Sequence, residues 1–356
     1  MRVRRRVLAV VIAMSLALLV VGGTRLWDRL HRTPLQDAVA VVMGDAKVFS
    51  FTDWAQVRKQ IGVPTTSSAS EADIAKLAQR GYDTDLTAAS SIDGSTAALQ
   101  TYFGFSPMSM LWEVYSKTLD GSAMVVRMPD DFDFGQVRSK LTSSGFTKPS
   151  SSEGVWKGGV DLVAKLDPTL TPELQYVAVL ADKHLIVTSD GEKYMTRAVA
   201  AALGNKRSLG DTASARDLVA EAGKPVAASV WAGDFACTDL AMSQASVDDQ
   251  ATASALIAKA GKVSPLSGMV MSLAADSTLS VVQLFEDADQ AKENLRARSR
   301  LAVGEAVGRG GSFSDDLTLT SSRTEGAAVL LRWKPKDPTS FPLSGLDTGP
   351  VVFATC

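Results

Sequence analysis

Three pairs of short apolar segments, each pair joined by a tight turn, constrain the fold of this chain more than any other feature. The pairs are 111–117 with 123–128, 176–180 with 184–188, and 266–273 with 278–285. The turn of the first pair contains Asp120-Gly121, a dipeptide typical of two-residue hairpin loops. Each pair therefore predicts a β-hairpin. Helical periodicities separate the hairpins, so the sequence predicts an α+β fold, with helices covering one face of antiparallel sheets.

An internal repeat extends this pattern. Residues 125–133 align with residues 281–289, and in both stretches the second strand of a hairpin leads into a helix. After each helix, serines and a Glu-Gly pair (Glu153-Gly154 and Glu325-Gly326) precede another strand. The predicted unit is strand–strand–helix–strand–strand, present twice; the alternative is chance similarity, because the identities are few. The aspartates at the strand-to-helix junctions predict helix caps rather than a cation site.

The chain is therefore divided into four predicted segments. Residues 1–32 comprise a cytoplasmic tip, a transmembrane anchor and a membrane-proximal collar. Residues 33–104 form a small, mainly helical unit that begins with a strand at 39–43. Residues 105–232 form the first α+β unit, and residues 233–356 form a second one closed by a disulfide.

The N-terminal segment predicts the compartment. Four arginines (Arg2, Arg4, Arg5 and Arg6) precede an uncharged apolar run at 7–23. Its length is close to the roughly 20 residues that span a bilayer. Because the run does not end in a small-x-small cleavage site, we expect an uncleaved signal anchor, with a cleaved signal as the alternative. The arginine bias places the N-terminus in the cytoplasm and the bulk of the chain outside; the reverse orientation is the alternative.

The charge balance narrows the range of partners. Residues 1–32 contain seven arginines and one aspartate, which leaves 30 basic and 38 acidic side chains in the rest of the chain. An acidic ectodomain is a poor match for nucleic acid or for an anionic bilayer surface. The predicted partners are the membrane, through the N-terminal helix, and an envelope protein, lipid or cell-wall polymer.

The two cysteines, Cys237 and Cys356, predict a disulfide. An exported protein with two cysteines usually pairs them in an oxidising compartment. The sequence contains no CxxC motif, so a structural bridge is favoured over a redox site. The bridge would tie residues 234–238 to the tail at 349–356.

No catalytic, cofactor-binding or metal-ligating residue is predicted. His31 lies in the collar and His184 lies beside a turn, and no GxSxG motif accompanies them. Carboxylates do cluster, at Asp130/Asp131/Asp133, Asp248/Asp249, Glu286/Asp287/Asp289 and Asp315/Asp316. None of these clusters has the spacing of a calcium-binding loop, so we expect solvated helix caps. The glycine cluster at 308–311 lacks the Gly-Lys-Ser/Thr of a phosphate loop and predicts a helix stop.

Several stretches resemble a family of exported proteins. They are YVAVLADKHLIVTSD (176–190) with the helix that follows it to Ser208-Leu209, DFACTD (234–239) and GPVVFATC (349–356). They resemble exported, membrane-anchored actinobacterial proteins of the mycobacterial type, whose function is unknown. The resemblance implies an envelope location and supplies no catalytic residues.

Taken together, these features predict a membrane-anchored, extracytoplasmic envelope protein that acts as a non-enzymatic binding or interaction module. The alternative is a cell-envelope hydrolase that uses a pair of carboxylates. That chemistry needs two carboxyl groups facing each other across a substrate in a cleft. A sensor that signals inward is a third hypothesis; it needs a membrane partner, because the predicted cytoplasmic tip is very short.

Overall fold

The computed structural model describes residues 32–356, in which eleven strands form one antiparallel sheet. The strands are β1 Val48–Thr52, β2 Trp112–Lys117, β3 Ser122–Arg127, β4 Val155–Lys157, β5 Tyr176–Leu180, β6 Leu185–Ser189, β7 Ala227–Ala232, β8 Gly268–Leu273, β9 Leu279–Leu284, β10 Leu317–Glu325 and β11 Ala328–Pro335. Their spatial order is β10-β11-β9-β8-β7-β1-β2-β3-β6-β5-β4. The three predicted hairpins are confirmed as β2–β3, β5–β6 and β8–β9.

Twelve α-helices are described in residues 32–356. They are α1 Pro34–Val39, α2 Trp54–Ile61, α3 Glu71–Asp83, α4 Thr96–Tyr102, α5 Phe134–Ser143, α6 Val160–Leu166, α7 Glu192–Ala202, α8 Ala213–Ala222, α9 Ala236–Asp239, α10 Val247–Ala260, α11 Ala288–Leu301 and α12 Phe313–Asp316. The α+β class is thereby confirmed. The expectation that helices cover one face of the sheet is wrong, because apolar clusters lie on both faces.

The two apolar layers explain the composition of the strands. One layer packs the sheet against α1, α7 and α8, and the other packs it against α2–α6, α10, α11 and the chain end. Strands covered on both faces need apolar side chains at every position. β8 (GMVMSL) accordingly is buried throughout. The edge strands differ: β4 has only three residues and β10 exposes polar side chains in alternation, which protects both edges from pairing with other chains.

The predicted strand at 39–43 is not formed. Thr33 and Gln36 form a capping box, Pro34 occupies the first helical turn, and Leu35, Ala38 and Val39 bury one helical face. Helix α1 therefore runs to Val39, and turns follow it. The central strand of this region is β1 instead, which pairs with β2 on one side and β7 on the other.

The β1–β7 pair divides the sheet into two similar halves. From this centre outward, one half reads β1-β2-β3-β6-β5-β4 and the other reads β7-β8-β9-β11-β10. In both halves, the third strand lies next to the second strand of a later hairpin: β3 lies next to β6, and β9 lies next to β11. The sheet is continuous across residues 104 and 232, the predicted unit boundaries, and that division of the chain stays a prediction.

The membrane span and the collar, predicted within 1–32, fall almost wholly outside the described residues. Between residues 32 and 356, no helix has both the length and the apolar character needed to cross a bilayer.

Candidate functional site

The acidic clusters identified in the sequence lie at helix starts. Asp133 caps α5 by accepting from the Gly135 N–H at 2.8 Å, and Asp287 caps α11. Asp249 accepts from the Ser246 hydroxyl at 2.7 Å in the first turn of α10, and Asp315 forms a capping box with Ser312. The expected capping role is therefore confirmed for Asp133, Asp287 and Asp315, whereas the cap of α10 is Ser246.

His184 lies beside a turn, as the sequence predicts. This residue follows the turn between β5 and β6 with a left-handed backbone, and its Nδ1 lies 3.8 Å from Asp130 Oδ1. Asp130 is almost fully exposed, so the pair is a surface contact. No group of metal-ligating side chains occurs in the part of the chain that the structure describes.

A cleft of about 430 Å³ opens at the centre of the sheet, where the two halves meet. Its floor consists of outward-facing residues of β1, β2 and β7, among them Ser50, Tyr115 and Ser229. Ser50 and Ser229 are paired across the β1–β7 junction. The cleft lies within the size range of small-molecule sites. We call it the central cleft.

Two carboxylates hold fixed positions on the β7 side of the central cleft. The Ser229 hydroxyl donates to Asp347 Oδ2 at 2.7 Å, and the Trp231 indole N–H donates to Asp239 Oδ2 at 2.6 Å. Asp239 ends α9, whereas Asp347 belongs to the segment that follows β11. Each carboxylate keeps a second oxygen for other partners.

Burial raises the pKa of Asp347. The hydrogen bond from Ser229 opposes this rise, and the negative charge of Asp85 adds to it. Asp85 is itself buried and accepts from the Leu343 N–H at 2.6 Å, so the segment that carries Asp347 is fastened to the first half of the molecule. The carboxyl group of Asp347 is consequently protonated more easily than that of an ordinary surface aspartate.

The β1–β2 side of the central cleft is aromatic and cationic. Burial raises the pKa of the Tyr115 phenol, which donates to Glu173 Oε1 at 2.8 Å. The Lys117 ammonium lies 5.2 Å from the centroid of the Tyr115 ring, in cation–π geometry. Lys47 completes this side, and the half-buried Phe235, in the turn that follows β7, lines the other. A ligand with an apolar ring face could stack on these aromatic side chains, while polar groups at the edges of its ring could bind to the cationic ones.

The predicted pairing of Cys237 and Cys356 is confirmed at the level of distance. Their Cα atoms are 5.4 Å apart, within the range of disulfides, and the sulfurs lie at bonding distance. The bridge ties α9, which carries Asp239, to the end of the chain. The buried Arg298 also holds this end, because its guanidinium donates to the Phe353 carbonyl at 2.9 Å.

The comparisons with known proteins assign no family to this chain. No protein-family model matches the chain, and no curated protein matches it. Two solved structures are similar to it over 87% of this chain and 96% of theirs. Crystal form I of TP0453 has a TM-score of 0.42 at 8% identity, and crystal form III of TP0453 has a TM-score of 0.43 at 10% identity.

Sequence reasoning missed the central cleft. Asp239, Asp347 and Tyr115 stand outside the acidic clusters, far apart in the chain. The one available signal was the DFACTD stretch, where Asp239 follows Cys237 by two residues. A cysteine predicted to be bridged fixes its neighbours in space, and this could have drawn attention to Asp239.

Proposed function

We propose that this protein is a membrane-anchored, extracytoplasmic binding module of the cell envelope, and that its ligand occupies the central cleft. The apolar run at 7–23 and the cysteine pair support the location. The observation that carries the binding role is the cleft itself, in which both halves of the sheet place aromatic, hydroxyl and carboxylate groups around one volume.

The chemistry of the central cleft favours a saccharide segment of a cell-wall polymer. Sugars present apolar ring faces and rims of hydroxyl groups. Tyr115 and Phe235 offer surfaces for the ring faces, while Asp239 and Asp347 offer acceptors for hydroxyl protons. Lys47 and Lys117 add donors at the opposite side.

A cell-envelope hydrolase remains the second candidate, because two carboxylates line the same cleft. A general acid must be protonated near the working pH, and burial raises the pKa of Asp347 in that direction. Asp239 would then serve as the second carboxylate. The acidic clusters found in the sequence give this candidate no support, since they lie at helix starts.

Co-sedimentation tests the binding role. The full chain, in mild detergent, is mixed with purified insoluble cell-wall polysaccharide. We expect the Phe235→Ala/Asp239→Asn variant to bind at least about tenfold more weakly, a loss of about 1.4 kcal/mol. The matched control, Phe341→Ala/Asp337→Asn, removes an exposed aromatic ring and a surface carboxylate outside the cleft and should bind like the wild type.

The same mixtures separate the two candidates. A binding module releases no reducing sugar, whereas a hydrolase releases it, and Asp347→Asn would then abolish the release without abolishing sedimentation. Equal binding by the cleft variant and its control would contradict the proposed site. An absence of both sedimentation and release would contradict both candidates for this polymer.

We further propose that the two halves of the sheet are copies of one ancestral unit. The spatial order of their strands supports this, because five strands of each half follow the same order and only the edge strand β4 has no counterpart. The residue-by-residue correspondence between the two halves differs from the sequence alignment of residues 125–133 with 281–289. Val125 and Val282 lie on one face of the sheet, whereas Val126 and Val281 lie on the other. Alignments of relatives should therefore pair Val125 with Val282 rather than with Val281.

A further inference from the structure

We propose that a groove beneath α8, on the face of the sheet opposite the central cleft, binds a single-chain lipid with a phosphate head group. The groove consists of an apolar cavity that takes the chain and a basic cavity that takes the head group. We call it the α8 groove. This site is independent of the central cleft, so either assignment can fail without the other.

The apolar cavity lies between α8 and the central strands and has a volume of about 220 Å³. Leu218 and Val219 line it from the helix, and Phe49 and Val230 line it from β1 and β7. All four side chains are buried in the layer beneath α8. The wall formed by these four side chains favours a hydrocarbon chain over water, whereas Lys47, Ser214 and Ser267 line the rest of the cavity with polar groups.

The basic cavity adjoins the apolar one and has a volume of about 570 Å³. Both are bordered by Gly44, Asp45 and Thr212, so a ligand can extend from one into the other. Arg197 and the neighbouring residues Lys206 and Arg207 supply positive charge to this second cavity. The combined shape fits an amphiphile with an anionic head group.

The charges of Lys206 and Arg207 are available for a ligand. Arg197 is bound to Asp45 and Asp120, whereas Lys206 and Arg207 are exposed and form no ion pair among residues 32–356. Lys206 and Arg207 are neighbours in the chain and border the same cavity, so one anionic group can contact both side chains. Arginine binds phosphate oxygens in a bidentate manner, and this favours a phosphate head group.

The backbone of the basic cavity is held in place before any ligand binds. The Gly44 N–H donates to the Arg207 carbonyl at 3.1 Å, and Met43 forms a β-bridge with Ser208. A Cβ at position 44 would lie only 3.1 Å from the same carbonyl oxygen. The close approach of these two segments therefore fixes the backbone that carries Lys206 and Arg207. A fixed backbone lowers the entropy lost when a ligand binds.

Photo-crosslinking tests the proposal on the full chain in phosphatidylcholine nanodiscs. The probe is a lysophosphatidic acid with a diazirine in its acyl chain, and crosslinked residues are mapped by mass spectrometry. We expect labels on α8 and β1. Competition by unlabelled lysophosphatidic acids of increasing chain length should strengthen about fourfold per added methylene until the cavity is filled.

Two variants and one control define the site. Lys206→Gln/Arg207→Gln should weaken binding about tenfold or more, and Thr212→Trp, which narrows the join of the two cavities, should also remove the label. Arg80→Gln/Lys148→Gln makes the same change of net charge on exposed residues outside the groove and should leave labelling unchanged. Thermal unfolding confirms that each variant is folded.

Other results would overturn the proposal. Equal competition by lysophosphatidylcholine would show that the negative head group is not recognised. Full competition by inorganic phosphate at the affinity of the lipid would show that the chain contributes nothing. Labels away from α8 and β1, or an equal loss in the charge control, would show non-specific association.

Discussion

A buried carboxyl group in the sheet, Glu113, shows how a single residue can set the pH response of the protein. Glu113 accepts from the Trp54 indole N–H at 3.0 Å and from the Ser91 N–H at 2.9 Å. Burial nevertheless raises its pKa to about 7, because desolvation outweighs the hydrogen bonds that favour the charged form. In the described residues, it forms no ion pair.

The raised pKa predicts that stability falls as the pH rises. The pKa of a glutamate in an unfolded chain is about 4.3. Between that pH and about 7, the folded state therefore binds more protons than the unfolded state. The contribution of Glu113 is complete at low pH and is lost as the pH rises through the folded pKa. The loss amounts to about 3 kcal/mol at pH 8.

Glu113→Gln should abolish this part of the pH dependence. The free energy of unfolding of the variant, relative to the wild type, should increase by up to about 3 kcal/mol between pH 5 and pH 8. The change with pH is decisive rather than the absolute value, because the amide also alters the hydrogen bonds. Urea unfolding at several pH values measures it, with the exposed Glu71→Gln as the control. Parallel curves for Glu113→Gln and the wild type would contradict the assignment.

At the scale of elements, the sequence predicted the features that form between residues close together in the chain. The hairpins β2–β3, β5–β6 and β8–β9 were predictable, because a turn and its flanking segments lie together in the chain. Strand β1 was missed, because its partners β2 and β7 lie far along the sequence. Without those partners, the apolar residues at 39–43 gave the more persuasive strand pattern, although the cap at Thr33 favoured a helix.

The role of a capping aspartate can be tested at Asp287, the first residue before helix α11. Asp287 accepts from the N–H groups of Asp289 and Gln290 at 2.9 Å and 2.8 Å. Asp287→Ala should lower the free energy of unfolding by about 1 kcal/mol, and Asp287→Asn should retain most of it. Asp131, which the sequence alignment places opposite Asp287, is exposed and does not cap a helix, so Asp131→Ala should have little effect. Equal losses in urea unfolding for the two alanine variants would contradict the cap.

At the scale of the whole molecule, the sequence alignment of residues 125–133 with 281–289 differs by one residue from the correspondence proposed for the two halves of the sheet. Side chains alternate between the faces of a sheet, so a shift by one residue exchanges every inward and outward position. Here helices cover both faces, and both positions of each valine pair are buried. The apolar pattern therefore carried no information about faces. The central cleft was not predictable for a different reason, because four segments that lie far apart in the chain form it together.

The Cys237–Cys356 pair connects the second half of the molecule to the end of the chain, across a sequence separation of 119 residues. A crosslink over so long a loop removes much conformational freedom from the unfolded chain, and the chain-entropy model gives about 5 kcal/mol as an upper figure. The folded tail has other attachments, since Gln283 and Arg298 both donate to the Phe353 carbonyl. Loss of the bridge should consequently lower stability without releasing the tail from the native structure.

Cys237→Ser/Cys356→Ser measures this contribution. The serine at position 237 can still accept from the Leu266 N–H, as the Cys237 sulfur does at 3.3 Å, so the variant removes the bridge with little change in packing. We expect the free energy of unfolding to fall by up to about 5 kcal/mol, and the wild type in reductant to fall to the same value. Intact mass of the exported full chain identifies the oxidised form. Two free thiols there, or unchanged stability in the serine variant, would show that the bridge does not close this loop, because a crosslink over 119 residues must affect the unfolded chain.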